Sequence, residues 1–172
     1  MTPKSFMAAV SAMAAFFAVC LFSAPFVSPY GSFLGLDGTP GVIDHYELWS
    51  GKDPFTFLMY TFGDIFCHQE EARVFILNGS EMPVCVRDIG ICIGVALGAL
   101  AAFMFSGNDK LLIYTLPFAA SSFILILADW TIQRYFVLNI PVTRIITGVL
   151  AGIGVSLILN LWAESRMSSI RP

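Results

Sequence analysis

The chain has 172 residues, of which 57% are hydrophobic and 12% charged, where an ordinary soluble domain carries about 25% charged residues; its mean hydropathy is +0.79. A water-soluble globule of this size cannot hide so much apolar side chain and still cover itself with polar groups, so the composition excludes a soluble fold and makes the lipid bilayer the partner. Nine Lys plus Arg against twelve Asp plus Glu leave a net charge of −3, which offers no basic surface and excludes nucleic acid as a partner.

Residues 5–27 form the first apolar run without an ionised side chain, long enough to cross a ~30 Å hydrocarbon core at ~1.5 Å per residue. It follows Lys4 and ends at Pro25 and Pro29. A secretory signal peptide is the rival reading, and the length of the run with no A-x-A cleavage site favours an uncleaved helix. Residues 28–54, rich in Gly and Pro, predict an irregular outer loop. Over residues 55–77 apolar side chains return, interrupted by Asp64, His68, Glu70, Glu71 and Arg73. That pattern predicts a helix lying at the interface or re-entering the membrane.

A second span covers residues 89–106 and ends at the turn Gly107-Asn108-Asp109; a third, 111–128, follows at once, so these two are antiparallel neighbours. The fourth, residues 145–163, comes after Asn139-Ile140-Pro141. The expected fold is an all-α integral membrane four-helix bundle with an additional interfacial or re-entrant helix, a single membrane domain over residues 1–172. Lys4, Lys110, Arg166 and Arg171 lie on one side, with Arg134 and Arg144 in the only short loop on the other. This count predicts a multi-pass cell-membrane protein with both termini cytoplasmic, and the acid-rich connection from Ser28 to Asp88 outside.

Gly90, Gly94 and Gly98 recur every four residues in the second span, and Gly148, Gly152 and Ser156 make a shorter stripe in the fourth. Small residues let helix backbones approach in lipid. The stripes fit packing within one bundle ahead of a homo-oligomer interface.

The chemistry-bearing residues gather at the outer ends of the helices. Cys67 and His68 are adjacent, and Cys85 follows seventeen residues after His68, with Asp88 three further on. Thiolate, imidazole and carboxylate together suit zinc or another divalent transition metal, so Cys67, His68, Cys85 and Asp88 are the expected ligands. Cys92 shares a helix face with Cys85 and Asp88 and is the alternative ligand, although ~10 Å of helical rise separates it from Cys85. Each has a plainer reading: Asp88 as a helix cap, Cys92 and Cys20 as small core residues, His45 as a solvated loop residue.

Asp129 and Gln133 lie four apart in the third span, and Arg144 opens the fourth with Thr147 and Gly148 one turn deeper. Ionised groups near lipid persist when paired or facing a polar cavity, so Asp129 and Arg144 are the expected pair. They would form a clasp between helices, or act catalytically as proton acceptor and anion stabiliser.

This order of motifs resembles a family of small prokaryotic polytopic membrane proteins carrying a domain of unknown function. Its pattern is Cys-His-Gln with a following Arg, Pro-Val-Cys-x-Arg-Cys-x-Gly-Ile-Tyr-x-Gly, a late Asp and Gln in the third helix, and Arg-x-x-Thr-Gly in the last. The counterparts are Cys67-His68-Gln69 with Arg73, the run from Pro83 to Gly94, Asp129 with Gln133, and Arg144 to Gly148. The resemblance covers about residues 60–155. Asp88 stands where the pattern has the second Cys of a Cys-x-x-Cys, and Cys92 where it has Tyr, so a metal site of the family would here exchange a sulfur for an oxygen, with Cys92 in part replacing the lost thiol. Three functions remain open. The first is a metal-dependent membrane protein, catalytic with three protein ligands and a water or structural with four. The second is a thiol redox protein, and the third a non-enzymatic transporter or assembly subunit.

Overall fold

The structure is a computed structural model that describes residues 2–105, 109–136 and 138–167, with only the backbone of residues 109–112. The expected turn at Gly107-Asn108 and the basic residue Arg171 lie outside the described residues. The described chain is helical, with one two-stranded hairpin: α1 (Pro3–Val27), α2 (Tyr46–Trp49), α3 (Pro54–Phe66), β1 (Ile76–Leu77), β2 (Ser80–Glu81), α4 (Val86–Met104), α5 (Asp109–Tyr135) and α6 (Pro141–Met167). Four of these helices, α1, α4, α5 and α6, are long and apolar enough to cross a membrane. Their outward side chains are apolar, as at Met13, Phe16, Ile113, Ile124 and Leu127, which is the surface that lipid solvates.

The chain divides into two compact units, residues 1–16 with 90–172, and residues 17–89. In the first, the glycine stripes of α4 and α6 meet each other. A Cβ on Gly90 would stand 2.8 Å from the Ile145 carbonyl, and one on Gly98 would stand 2.9 Å from Ile153. Gly94 presses on the Val149 backbone, and Gly152 on Ile91 and Val95. The two residue numbers rise together, so α4 and α6 run parallel at backbone contact, and the stripes are used within the chain. Ser156 adds a hydrogen bond from its hydroxyl to the Val95 carbonyl at 2.8 Å. On another side of α6, Gly154 faces Ala119 and Ser122 of α5. The start of α1 joins this unit through Met7, packed with Ala99 and Ala102, and through Ser11, whose hydroxyl donates to the Ala96 carbonyl at 2.9 Å.

In the second unit, the connection expected to be an irregular loop has a core of its own. Phe33, Trp49 and Tyr60 are fully buried, with the Phe33 and Tyr60 rings 4.1 Å apart between centroids. Tyr60 lies on α3, so burying Phe33, Leu36 and Trp49 draws the Gly- and Pro-rich segment onto that helix. Helix α3 starts where Asp53 caps it, its carboxylate accepting the Phe55 and Thr56 amides at 3.0 Å, with Pro54 in the first turn.

The helix expected over residues 55–77 is corrected: it ends at Phe66. Cys67 is already extended and Gln69 takes a φ of +48°, a left-handed conformation that no helix continues through. A 3₁₀ turn at Glu71–Arg73 follows, then the hairpin. The hairpin turns at Asn78-Gly79, both at positive φ, as a two-residue turn between right-twisted strands requires. Asn78 also donates through Nδ2 to the Pro25 carbonyl at 2.9 Å. That carbonyl would ordinarily accept from residue 29, a proline without an N–H, so the hairpin supplies the partner missing at the end of α1.

Candidate metal centre

Helix α4 begins at Val86, and Cys85 is the residue before it, its carbonyl accepting the Ile89 amide at 3.1 Å. Asp88 is the third residue of the first turn, so the cap position belongs to Cys85 and not to Asp88. From these two places the side chains meet: Cys85 Sγ lies 3.1 Å from Asp88 Oδ2. The third member comes from the end of α3. Cys67 leaves the helix with its amide still bonded to the Gly63 carbonyl, and its sulfur accepts the backbone N–H of Cys85 at 3.1 Å. The ligand atoms of Cys67, Cys85 and Asp88 all lie within 4.8 Å of one another.

Gln69 makes this convergence possible. Its side chain is fully buried, and Nε2 donates to the Pro83 carbonyl at 2.9 Å, tying the turn after Cys67 to the segment that carries Cys85. Gly63 lies against the same carbonyl and the same amide, where a Cβ would collide with both. Cys67 is buried. Its hydrogen bond with Cys85, its burial and the neighbouring Cys85 and Asp88 push the thiol well above the usual range, while the Gln69 backbone N–H acts the other way.

His68 does not join the group. It follows Cys67 directly but is exposed, because the extended backbone at Cys67 turns successive side chains to opposite sides. Cys92 is also outside the group, as the helical rise from Cys85 leads one to expect. Cys20 is half-buried on α1.

In the unit holding residues 90–172, Gln133 stands between Asp129 and Arg144. Its Nε2 donates to Asp129 Oδ1 at 2.6 Å and to Thr143 Oγ1 at 3.0 Å, and its Oε1 accepts from Arg144 Nε. Thr147 reaches the other oxygen of Asp129 at 3.5 Å. Gln133 and Arg144 are buried, so one amide joins the end of α5 to the start of α6.

The model of the family described as a predicted membrane protein, DUF2085, matches residues 67–158. This chain belongs to the DUF2085 family. The match opens at Cys67 and takes in the whole converging group together with the network around Gln133. It leaves α1, the Gly- and Pro-rich segment and α3 outside. No curated protein and no solved structure matches the chain.

Two buried acids were not read from the sequence as site residues. Glu81 is fully buried at the end of the hairpin, where its oxygens accept the Gly35 amide at 2.6 Å and the Leu36 amide at 3.0 Å. Burial raises its pKa, against those two amides, which lower it. Asp64, fully buried on α3, accepts both the backbone N–H and the ring Nδ1 of His45 at 3.1 Å. His45 is therefore no solvated loop residue: its side chain is 17% exposed, and Nε2 lies 3.5 Å from Asp37 Oδ1. The Asn78-Gly79 dipeptide was a legible hairpin signal. Nothing local distinguishes Asp64 or Glu81 from surface acids.

Proposed function

We propose that this multi-pass membrane protein carries a transition-metal site, zinc foremost, built from Cys67, Cys85 and Asp88. The observation that supports it is the convergence of two sulfurs and a carboxylate oxygen within 4.8 Å from stretches eighteen residues apart. Two soft ligands and one oxygen suit zinc. The start of α4 favours the negative charge that thiolates and a carboxylate bring. Three protein ligands leave a fourth position, and zinc held that way supplies a Lewis acid and an activated water. With His68 outside the group, the three-ligand form is the one the geometry favours, and it is the form a metal-dependent enzyme uses.

The test is metal analysis of the purified protein beside Cys85→Ser and Asp88→Asn variants. About one zinc per chain is expected in the parent, with loss in Cys85→Ser and weakened retention in Asp88→Asn. Equal and negligible metal in all three would end the reading.

The nearness of the Cys67 and Cys85 sulfurs supports one alternative, a thiol redox protein that cycles through a disulfide between them. Counting alkylated thiols before and after reduction distinguishes it: no change removes it. For Asp129 and Arg144 we propose the role of clasp between α5 and α6, which the shared Gln133 bonds support, with proton and anion handling as the alternative. Both termini are proposed to face the cytoplasm, from the Lys and Arg count, and reporter fusions at each end test this.

A further inference from the structure

Outside the Cys67–Cys85–Asp88 group, three oxygen acceptors of the second unit converge beside Gly38. From the point where a Cβ on Gly38 would stand, Asp64 Oδ1 is 3.2 Å away, Gln69 Oε1 3.6 Å and the Cys67 carbonyl oxygen 3.7 Å. Asp64 and Gln69 are fully buried. Gln69 is oriented by its other end, since Nε2 is committed to the Pro83 carbonyl, and its Oε1 finds no donor among the described residues. Asp64 Oδ1 already meets the His45 ring at 3.1 Å, whereas Gln69 Oε1 does not, and a buried acceptor without a donor costs free energy comparable to a lost hydrogen bond.

The charge points the same way. His45 lies here, its ring between Asp64 at 3.1 Å and Asp37 at 3.5 Å. Asp37 is 91% exposed and its charge is solvated, so the buried charge here is that of Asp64, which the His45 ring balances only when it is protonated. Carboxylate, side-chain amide and backbone carbonyl oxygens are the donors that hard cations take, unlike the sulfurs of the neighbouring group. One carboxylate with two neutral oxygens calls for a single positive charge if the buried site is to be neutral. Gly38 is half-buried and leaves an approach from solvent, and as glycine it withholds the methyl group that would occupy the space.

We infer that Asp64 Oδ1, Gln69 Oε1 and the Cys67 carbonyl form a binding site for a small, hard, monovalent cation of sodium size. The site uses the carbonyl of Cys67 and not its thiol, so it stands independently of the zinc reading. A bound cation would fix the turn Cys67-His68-Gln69 against the 37–45 segment, which already meets it through the Gly38 amide donating to the His68 carbonyl at 2.9 Å.

The experiment is thermal unfolding of the full-length protein in detergent, in sodium chloride and in choline chloride at equal ionic strength, with calcium chloride as a further arm. A saturable, sodium-specific rise of the midpoint is expected, about 5 °C or more at a hundredfold excess over Kd. It should be absent in Gly38→Ala, which fills the space at an ordinary backbone conformation, and in Asp64→Asn, which keeps the shape and removes the charge. Zinc content should be unchanged in Gly38→Ala. Equal midpoints in sodium and choline would overturn the inference and leave an ordered water only. A sodium effect that persists in Gly38→Ala would place the ion elsewhere, and stabilisation by calcium far below the sodium range would overturn the monovalent assignment.

Discussion

Gln69 and Pro83 are joined by a single side-chain to backbone hydrogen bond of 2.9 Å, and that bond holds together the two halves of the candidate metal centre. The first half ends α3 and the second begins α4. Between them lie the 3₁₀ turn and the hairpin, neither of which would by itself fix where the Cys67 sulfur falls.

Replacing Gln69 with leucine keeps most of the volume and leaves the buried Pro83 carbonyl without its donor. The expected cost is about 1–3 kcal/mol, read as a lower unfolding midpoint in detergent. Zinc retention should fall with it even though no ligand has changed. Full zinc retention in a folded Gln69→Leu protein would show that the sulfurs meet without this tie.

Gly94→Ala should destabilise the chain by about 1–3 kcal/mol through overpacking, since the new methyl group would meet the Val149 backbone. Gly51→Ala is the control, because nothing lies within 4 Å of its Cβ position and its φ is ordinary, and a change within about 0.5 kcal/mol is expected there. Thermal unfolding of the pair checks both.

Asp53→Ala removes the cap of α3 and should cost about 1 kcal/mol at neutral pH. The Thr56 hydroxyl and then the Thr56 amide hold the Asp53 carboxyl below its ordinary value of 3.8. The stabilisation is therefore present above that value and is lost as pH falls through the depressed one. The difference in midpoint between parent and variant should shrink on acidification; a constant difference would show that the stabilisation does not depend on the ionised carboxyl.

Glu81 has the opposite sign. Burial raises its pKa above the ordinary 4.5, so the folded protein binds this proton more tightly than the unfolded chain does. Stability from this group declines as pH rises from 4.5 through the raised folded value. Glu81→Gln should flatten the pH dependence of the midpoint across that window. An unchanged profile would mean that Glu81 is not the group responsible.

The four apolar runs were readable because lipid imposes a simple rule: a helix must be apolar over about twenty residues. Their ends were less so. Helix α5 continues past the expected residue 128 to Tyr135 and α6 starts at Pro141 instead of residue 145, since polar side chains such as Gln133 and Arg144 are retained in helix once they bond each other. The glycine stripes were visible as periodicity, but that they face each other in register follows only from how α4 and α6 pack. At the candidate site, Cys67, Cys85 and Asp88 stood out by type and spacing, and His68 stood out equally. The backbone direction after Cys67 separates them, and local spacing does not encode it.

Sequence alone determined that this is a helical membrane protein, because hydropathy and length are summed over many residues and tolerate local exceptions. It also marked which uncommon polar groups cluster near the helix ends. Only the tertiary structure decided which of those groups meet, why α3 stops at Phe66, and that Asp64 and Glu81 are buried, with His45 held against Asp64. Each of those outcomes depends on contacts between residues far apart in the chain, such as Gln69 with Pro83 and Asp64 with His45, and a contact of that kind leaves no periodic trace in either partner's neighbourhood.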